Sequence, residues 1–150
     1  MSLSQIKQTL ASGIERAIES VTGLAVASFF YTPTSLGTIF ENLPAVIVDD
    51  EFDIPDEWDQ GTDQRGAYTT HLLAELFCAL DTSDGGAASD TLIHQMKEEA
   101  ERYLVGVLQD QLPAPGAIVS SKIIGAPMST EDTGILMRYA WFRITVIIRP

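Results

Sequence analysis

Residues 135–149, ILMRYAWFRITVIIR, decide how the rest of the chain must be read. Alternate positions place Ala140, Phe142, Ile144, Val146 and Ile148 on one side and Tyr139, Trp141, Arg143, Thr145 and Arg149 on the other. That period of two is the pattern of a half-buried strand, and the β-branched and aromatic content suits a pleated surface. A helix would scatter Arg138, Arg143 and Arg149 around its circumference and leave no clean apolar face. The run therefore reads as a long strand at the centre of the one core of the chain. At about 3.3 Å per residue it would reach roughly 45 Å, more than twice a usual strand, so it is expected to bend, bulge or project beyond its sheet.

Working outward, residues 126–134 read as a polar turn region and residues 117–124 as a strand, while Pro113 and Pro115 stop the helix before them. That helix is expected to open at Ser89 or Asp90 as N-cap, after a flexible connection with Gly85 and Gly86. Its stripe is Leu92, Ile93, Met96, Ala100, Tyr103, Leu104, Val107 and Leu108, with Lys97, Glu98, Glu101 and Arg102 outside it. Residues 67–80 alternate again, with Leu72, Ala74, Leu76, Cys78 and Leu80 inward and His71 and Glu75 outward. Residues 43–48, LPAVIV, form another strand with proline at its start, where a missing N–H is tolerated. Residues 25–31 read as a short strand followed by turn chemistry, Thr32-Pro33-Thr34-Ser35 and Gly37, leading into a loop. Residues 3–21 place Ile6, Leu10, Ile14, Ala17, Ile18 and Val21 at helical steps of three and four, ended by Gly23.

This order predicts a single α+β domain over residues 1–150, a mainly antiparallel sheet of about four to five strands with two amphipathic helices packed on one face. Both helices need the same apolar partner. The opposite face, with Tyr139, Trp141, Arg143, His71 and Glu75, is left for water or for another subunit.

The net charge is −12. A nucleic-acid binder of the usual kind needs a basic face to displace counterions from phosphate, so DNA should be repelled. The single cysteine, Cys78, excludes an intramolecular disulfide and reads as a small buried hydrophobe. The first residues are broken by Gln5, Lys7, Gln8, Glu15 and Arg16, which does not suit a signal peptide, and no run of about 18 apolar residues occurs. A soluble protein made in the cytoplasm is expected.

The acid is concentrated. Residues 49–59, DDEFDIPDEWD, hold seven acids and no base: Asp49, Asp50, Glu51, Asp53, Asp56, Glu57 and Asp59, with Trp58 among them. The alternation of Asp49, Glu51 and Asp53 imitates a calcium loop, but position six is Ile54 and position twelve Gln60, where an EF-hand needs glycine and glutamate. No GxSxG, Walker, HExxH or GxGxxG motif is present, and His71 and His94 are read as structural, the latter four residues before Glu98 at the spacing of a weak surface pair. No catalytic, cofactor or metal residue is assigned. One reading of the exposed features is a solvated loop and an ordinary edge strand. The sharper one is a self-assembling subunit, in which acidic loops meet arginine-bearing strands of a neighbour and Trp58 anchors a contact. A small acidic ligand-binding domain or hydrolase, with a pocket between sheet and helices, is the alternative from another class.

The N-terminal amphipathic helix, the LPAVIV strand followed by acid, the alternating strand at 67–80, the helix at Ser89-Asp90 and the aromatic terminal strand together resemble the phage tail-terminator family, of the minor tail protein U type. The resemblance covers nearly the whole chain. It implies a non-enzymatic homo-oligomeric ring, generally a hexamer, that caps the tail tube and joins it to head-tail connector proteins while DNA passes through unbound. The implied place is the tail or neck of a virion assembled in the host cytoplasm, with no membrane and no cofactor. Asp49, Asp50, Glu51, Asp53, Asp56, Glu57, Trp58 and Asp59 are then a candidate lumen or inter-ring surface. Tyr139, Trp141, Arg143 and Arg149 are candidate subunit contacts.

Overall fold

The computed structural model describes residues 2–51, 68–110, 116–129 and 136–148. The elements are α1 (Leu3–Thr22), β1 (Ala27–Phe29), α2 (Leu36–Phe40), β2 (Ala45–Asp50), β3 (Tyr68–Ala79), α3 (Ala87–Asp110), β4 (Gly116–Ser129) and β5 (Leu136–Ile148), of which all but α2 match a helix or strand read from the sequence. The strands form one sheet in the order β1-β2-β3-β5-β4, antiparallel throughout except where β1 runs parallel to β2. The fold is α+β.

Helix α1 is closed at both ends by local chemistry. The Ser2 hydroxyl accepts from the Gln5 N–H while the Gln5 side chain accepts from the Ser2 N–H, and Gly23 takes the left-handed conformation at φ 71° that ends the helix. The α1 stripe of Ile6, Leu10, Ile14 and Ile18 and the α3 stripe of Ile93, Met96, Ala100 and Leu104 are fully buried. Both lie on the same sheet face, against Val46, Val48, Leu72, Leu76, Phe142, Ile144 and Val146. Gly13 lets the two helices close, since a Cβ there would fall 1.9 Å from the Tyr103 ring, whose hydroxyl donates to the Thr9 carbonyl at 3.2 Å.

Several expectations need correction. Strand β5 does not project beyond its sheet, because β3 is nearly as long and pairs with it from Tyr68↔Ile148 to Ala79↔Met137. The irregularities fall on its other neighbour, β4, between Ile118 and Ser120 and between Ile124 and Met128. β4 continues to Ser129, taking in residues read as a turn. Val21 is not part of the buried stripe and is 47% exposed. The connection after Ser35 contains α2, with the Ser35 hydroxyl accepting from the Gly37 N–H at its start. Helix α3 opens at Ala87, ahead of Ser89 and Asp90, because Asp84 accepts from the N–H groups of Gly86 and Ala88 and does the capping work expected of the later residues. His94 Nδ1 lies 3.7 Å from the Asp90 carboxylate and 2.8 Å from the Asp90 carbonyl oxygen, so its close partner is Asp90 rather than the expected Glu98.

The core is also not single. Ile39 and Phe40 of α2 lie on the face opposite α1 and α3 and bury Ala45, Ile47, Phe77 and Met137 in a second, smaller cluster. One end of the supposedly open face is therefore covered. Among the described residues no helix is long and apolar enough to cross a membrane.

Candidate assembly surface

The alternation of β2 carries the chain into its acidic run, and the first three acids are held by the fold. Asp49 and Asp50 are the last residues of β2, not the start of a loop. Lys7 of α1 donates to Asp49 at 3.1 Å and to Asp50 at 3.4 Å, and the backbone N–H and hydroxyl of Thr32 donate to the second oxygen of Asp49 at 2.9 and 2.8 Å. Burial pushes the Asp49 carboxyl up, but the hydrogen bonds from the Asp50 N–H, Thr32 and Lys7 outweigh it and hold the group below its ordinary value. Burial likewise pulls the Lys7 ammonium down, and the two carboxylates reverse this and raise it.

Glu51 continues the strand direction, with its N–H donating to the His71 carbonyl at 3.2 Å. Its carboxylate accepts from Arg143 Nε of β5 at 3.1 Å, with 7% of the Glu51 side chain exposed against 34% for Arg143. The Arg143 guanidinium also lies over Trp141, 5.6 Å from the ring centre. Register places Trp141 between Glu75 of β3 and Lys122 of β4. Tyr139 is engaged within the subunit: it packs on Phe77 at 5.0 Å and donates to Glu75 at 2.5 Å. Burial raises the pKa values of both Glu75 and Tyr139. The Tyr139 hydrogen bond draws Glu75 back down, while the charges of Glu51 and Asp49 push it further up.

Of the residues singled out from sequence, Asp49, Asp50 and Glu51 thus gather at the end of β2 as partners of Lys7 and Arg143. Trp141 and Arg143 share the part of that sheet face that no described helix covers, and Tyr139 belongs to the α2 side of it. Asp53, Asp56, Glu57, Trp58, Asp59 and Arg149 lie outside the described residues. Sequence reasoning missed Lys7 and Lys122. In the sequence Lys7 shows only as a polar break in the N-terminal run, and the bulges of β4 hide which face Lys122 takes.

The described residues contain no group of three His, Cys, Asp or Glu able to hold a metal. Cys78 is buried with its thiol pushed up to about 11, burial outweighing the nearby Arg138, so it stays a neutral thiol. The space between sheet and helices is filled by fully buried side chains. Among the described residues, concave places lie on outer surfaces along α3 at Asp90, His94 and Glu98, along α1 at Gln8 and Arg16, and in a groove between α3 and β4.

No protein-family model matches the chain, and no curated protein does. Solved structures do match. One aligns over 99% of both chains with a TM-score of 0.53 at 13% identity. The likeness is one of fold. At that identity the shared arrangement of sheet and helices carries no residue roles across.

Replacing Lys7 by methionine is expected to lower stability by roughly 1–3 kcal/mol at pH 7, because Asp49 and Asp50 are left partly buried without their cation. The sign with pH follows from Asp49. Its folded value lies below the ordinary 3.8, so its contribution is present above that value and is lost as pH falls through the folded one. The gap between variant and parent in urea unfolding should therefore narrow at the acid end.

Proposed function

We propose that the chain is a structural subunit of phage tails of the terminator type: a ring-forming protein that caps the tail tube and meets the head-tail connector, with DNA passing through and no chemistry performed. The observation that carries the reading is the anchored start of the acidic run. Lys7 fixes Asp49 and Asp50, and Arg143 fixes Glu51, so the acids that follow begin from a set point at the end of β2. Repeated around a symmetry axis, such a run multiplies into a negative field far larger than that of one subunit. A passage for DNA benefits from negative walls by the same counterion argument that makes basic proteins bind. The net charge of −12 suits a channel that must not hold its cargo.

The pairing of the first acids decides how this is tested. Asp50 and Glu51 hold ion pairs, so removing their charges would mix folding with function. The informative variant converts Asp53, Asp56, Glu57 and Asp59 to their amides. Thermal stability is expected to change by no more than about 0.5 kcal/mol per site, as for solvated charges. Particles built with the variant should retain or release DNA abnormally, with a defect that shrinks as ionic strength rises. Normal assembly and normal DNA ejection at every salt concentration would remove the acidic run from the DNA path.

A further inference from the structure

Three half-buried carboxylates share the sheet face that α2 covers at one end. Asp49 and Glu51 continue the alternation of Ala45 and Ile47 along β2, and Glu75 stands two residues before Phe77 on β3, opposite Ile47. Two of the three acids have a cation, Lys7 on Asp49 and Arg143 on Glu51. Glu75 does not: among the described residues its one hydrogen-bond partner is the Tyr139 hydroxyl, at 2.5 Å.

The surroundings of Glu75 offer no second cation in place of the missing one. β2 presents Asp49, whose register partner Leu73 is two residues from Glu75, with Glu51 beyond it. β5 presents Trp141 directly opposite, Tyr139 and Arg143 diagonally on either side, and Arg143 is held by Glu51. Lys122 of β4 lies across Trp141, His71 stands four residues back along β3, and Lys7 of α1 is taken by Asp49 and Asp50. β1 and α2 carry no charged side chain, and Glu41, at the end of α2, is exposed. A half-buried carboxylate so placed is favoured in its neutral form. Burial raises its pKa most, the Tyr139 hydrogen bond opposes this, and the charges of Glu51 and Asp49 add to the rise, which leaves the group above its ordinary 4.5. Tyr139 carries the effect into the packing, since it lies 5.0 Å from Phe77 and against the cluster that Ile39 and Phe40 of α2 close.

We propose that Glu75 and Tyr139 form a proton-operated clasp for α2: with Glu75 neutral the second cluster is held closed, and with Glu75 ionised the cover over it loosens. A neutral Glu75 still accepts from the Tyr139 hydroxyl through its carbonyl oxygen and no longer repels Asp49 and Glu51. The sign with pH follows. Because the folded value lies above the unfolded one, the stability that the proton supplies is fully present below 4.5 and is lost as pH rises through the folded value. The clasp lies within one subunit and needs neither a ring nor DNA, so it stands or falls apart from the function proposed above.

The test begins with the parent protein. Its Glu75 carboxyl, followed by carbon NMR through a pH titration and assigned by its absence in Glu75→Gln, should titrate above 4.5. Tyr139→Phe should move that midpoint further up, because it removes the hydrogen bond that favours the charged form. The clasp itself is read by hydrogen exchange at the Glu41 and Asn42 amides, which donate to the Gly37 and Ile39 carbonyls of α2. Corrected for the intrinsic effect of pH, opening there should increase from mild acid to neutral in the parent and stay flat in Glu75→Gln. At neutral pH the parent should open more than Glu75→Gln, by up to about tenfold for each unit of the NMR shift. A Glu75 midpoint at or below 4.5 overturns the proposal, as does a midpoint that fails to rise in Tyr139→Phe. A raised midpoint with α2 exchange alike in parent and Glu75→Gln would mean that the proton does not reach α2, and the clasp falls.

Discussion

Val146→Asp is expected to yield no folded protein. Val146 is fully buried on the helix-facing side of β5, opposite Thr70 of β3 and Gly116 of β4. The space there is already tight, since a Cβ on Gly116 would lie 3.1 Å from the Val146 side chain and 2.4 Å from the Thr145 carbonyl oxygen. An aspartate would bury a charge with no cation beside it in the apolar cluster, a cost of several kcal/mol against a total stability of about 5–15 kcal/mol. Thr145→Asp is the control, because its side chain points to the other face and is only half buried. Expression in soluble form with a cooperative melt for the Thr145 variant, and aggregation for the Val146 variant, is the expected pair of results. A soluble, cooperatively melting Val146→Asp protein would mean that β5 is out of register by one residue.

Leu104→Ala should cost roughly 2–5 kcal/mol, the range for removing a buried leucine and leaving a cavity behind. Leu104 is fully buried in α3, within the cluster shared by both long helices and the sheet. Its neighbour Val105 is 45% exposed, so Val105→Ala on the same helix should stay within about 0.5 kcal/mol. Urea unfolding of the two variants separates loss of core packing from loss of helix propensity, since both changes end in alanine. Equal midpoints would place the inner face of α3 elsewhere.

The long elements were legible because each writes its burial into a period. Alternation in β3 and β5 marked Leu72, Ala74, Leu76, Ala140, Phe142, Ile144 and Val146, all fully buried, and steps of three and four marked Ile6, Leu10, Ile14 and Ile18. Helix α2 was not legible, since five residues are too few to show a period. With α2 missed, Phe77 and Met137 had no visible partner on the second face, and the smaller cluster could not be foreseen. The β4 bulges shift the alternation by a residue, which hides the side on which Lys122 stands.

The candidate surface was less legible than the fold, for a tertiary reason. Lys7 meets Asp49 and Asp50 across more than forty residues of sequence, and Arg143 meets Glu51 across more than ninety, so no local pattern shows that half-buried cations neutralise the first acids. Tyr139 looked available on an outward face, yet α2 and Glu75 occupy it.

The proposed ring-forming role is tested by the mass of the purified protein over a range of concentrations, by mass photometry or sedimentation equilibrium. The subunit is 16.3 kDa. A closed species of several subunits, near sixfold the subunit mass for a hexamer of roughly the expected size, growing in population with concentration, is the result predicted. A single species at 16.3 kDa at every concentration would contradict it.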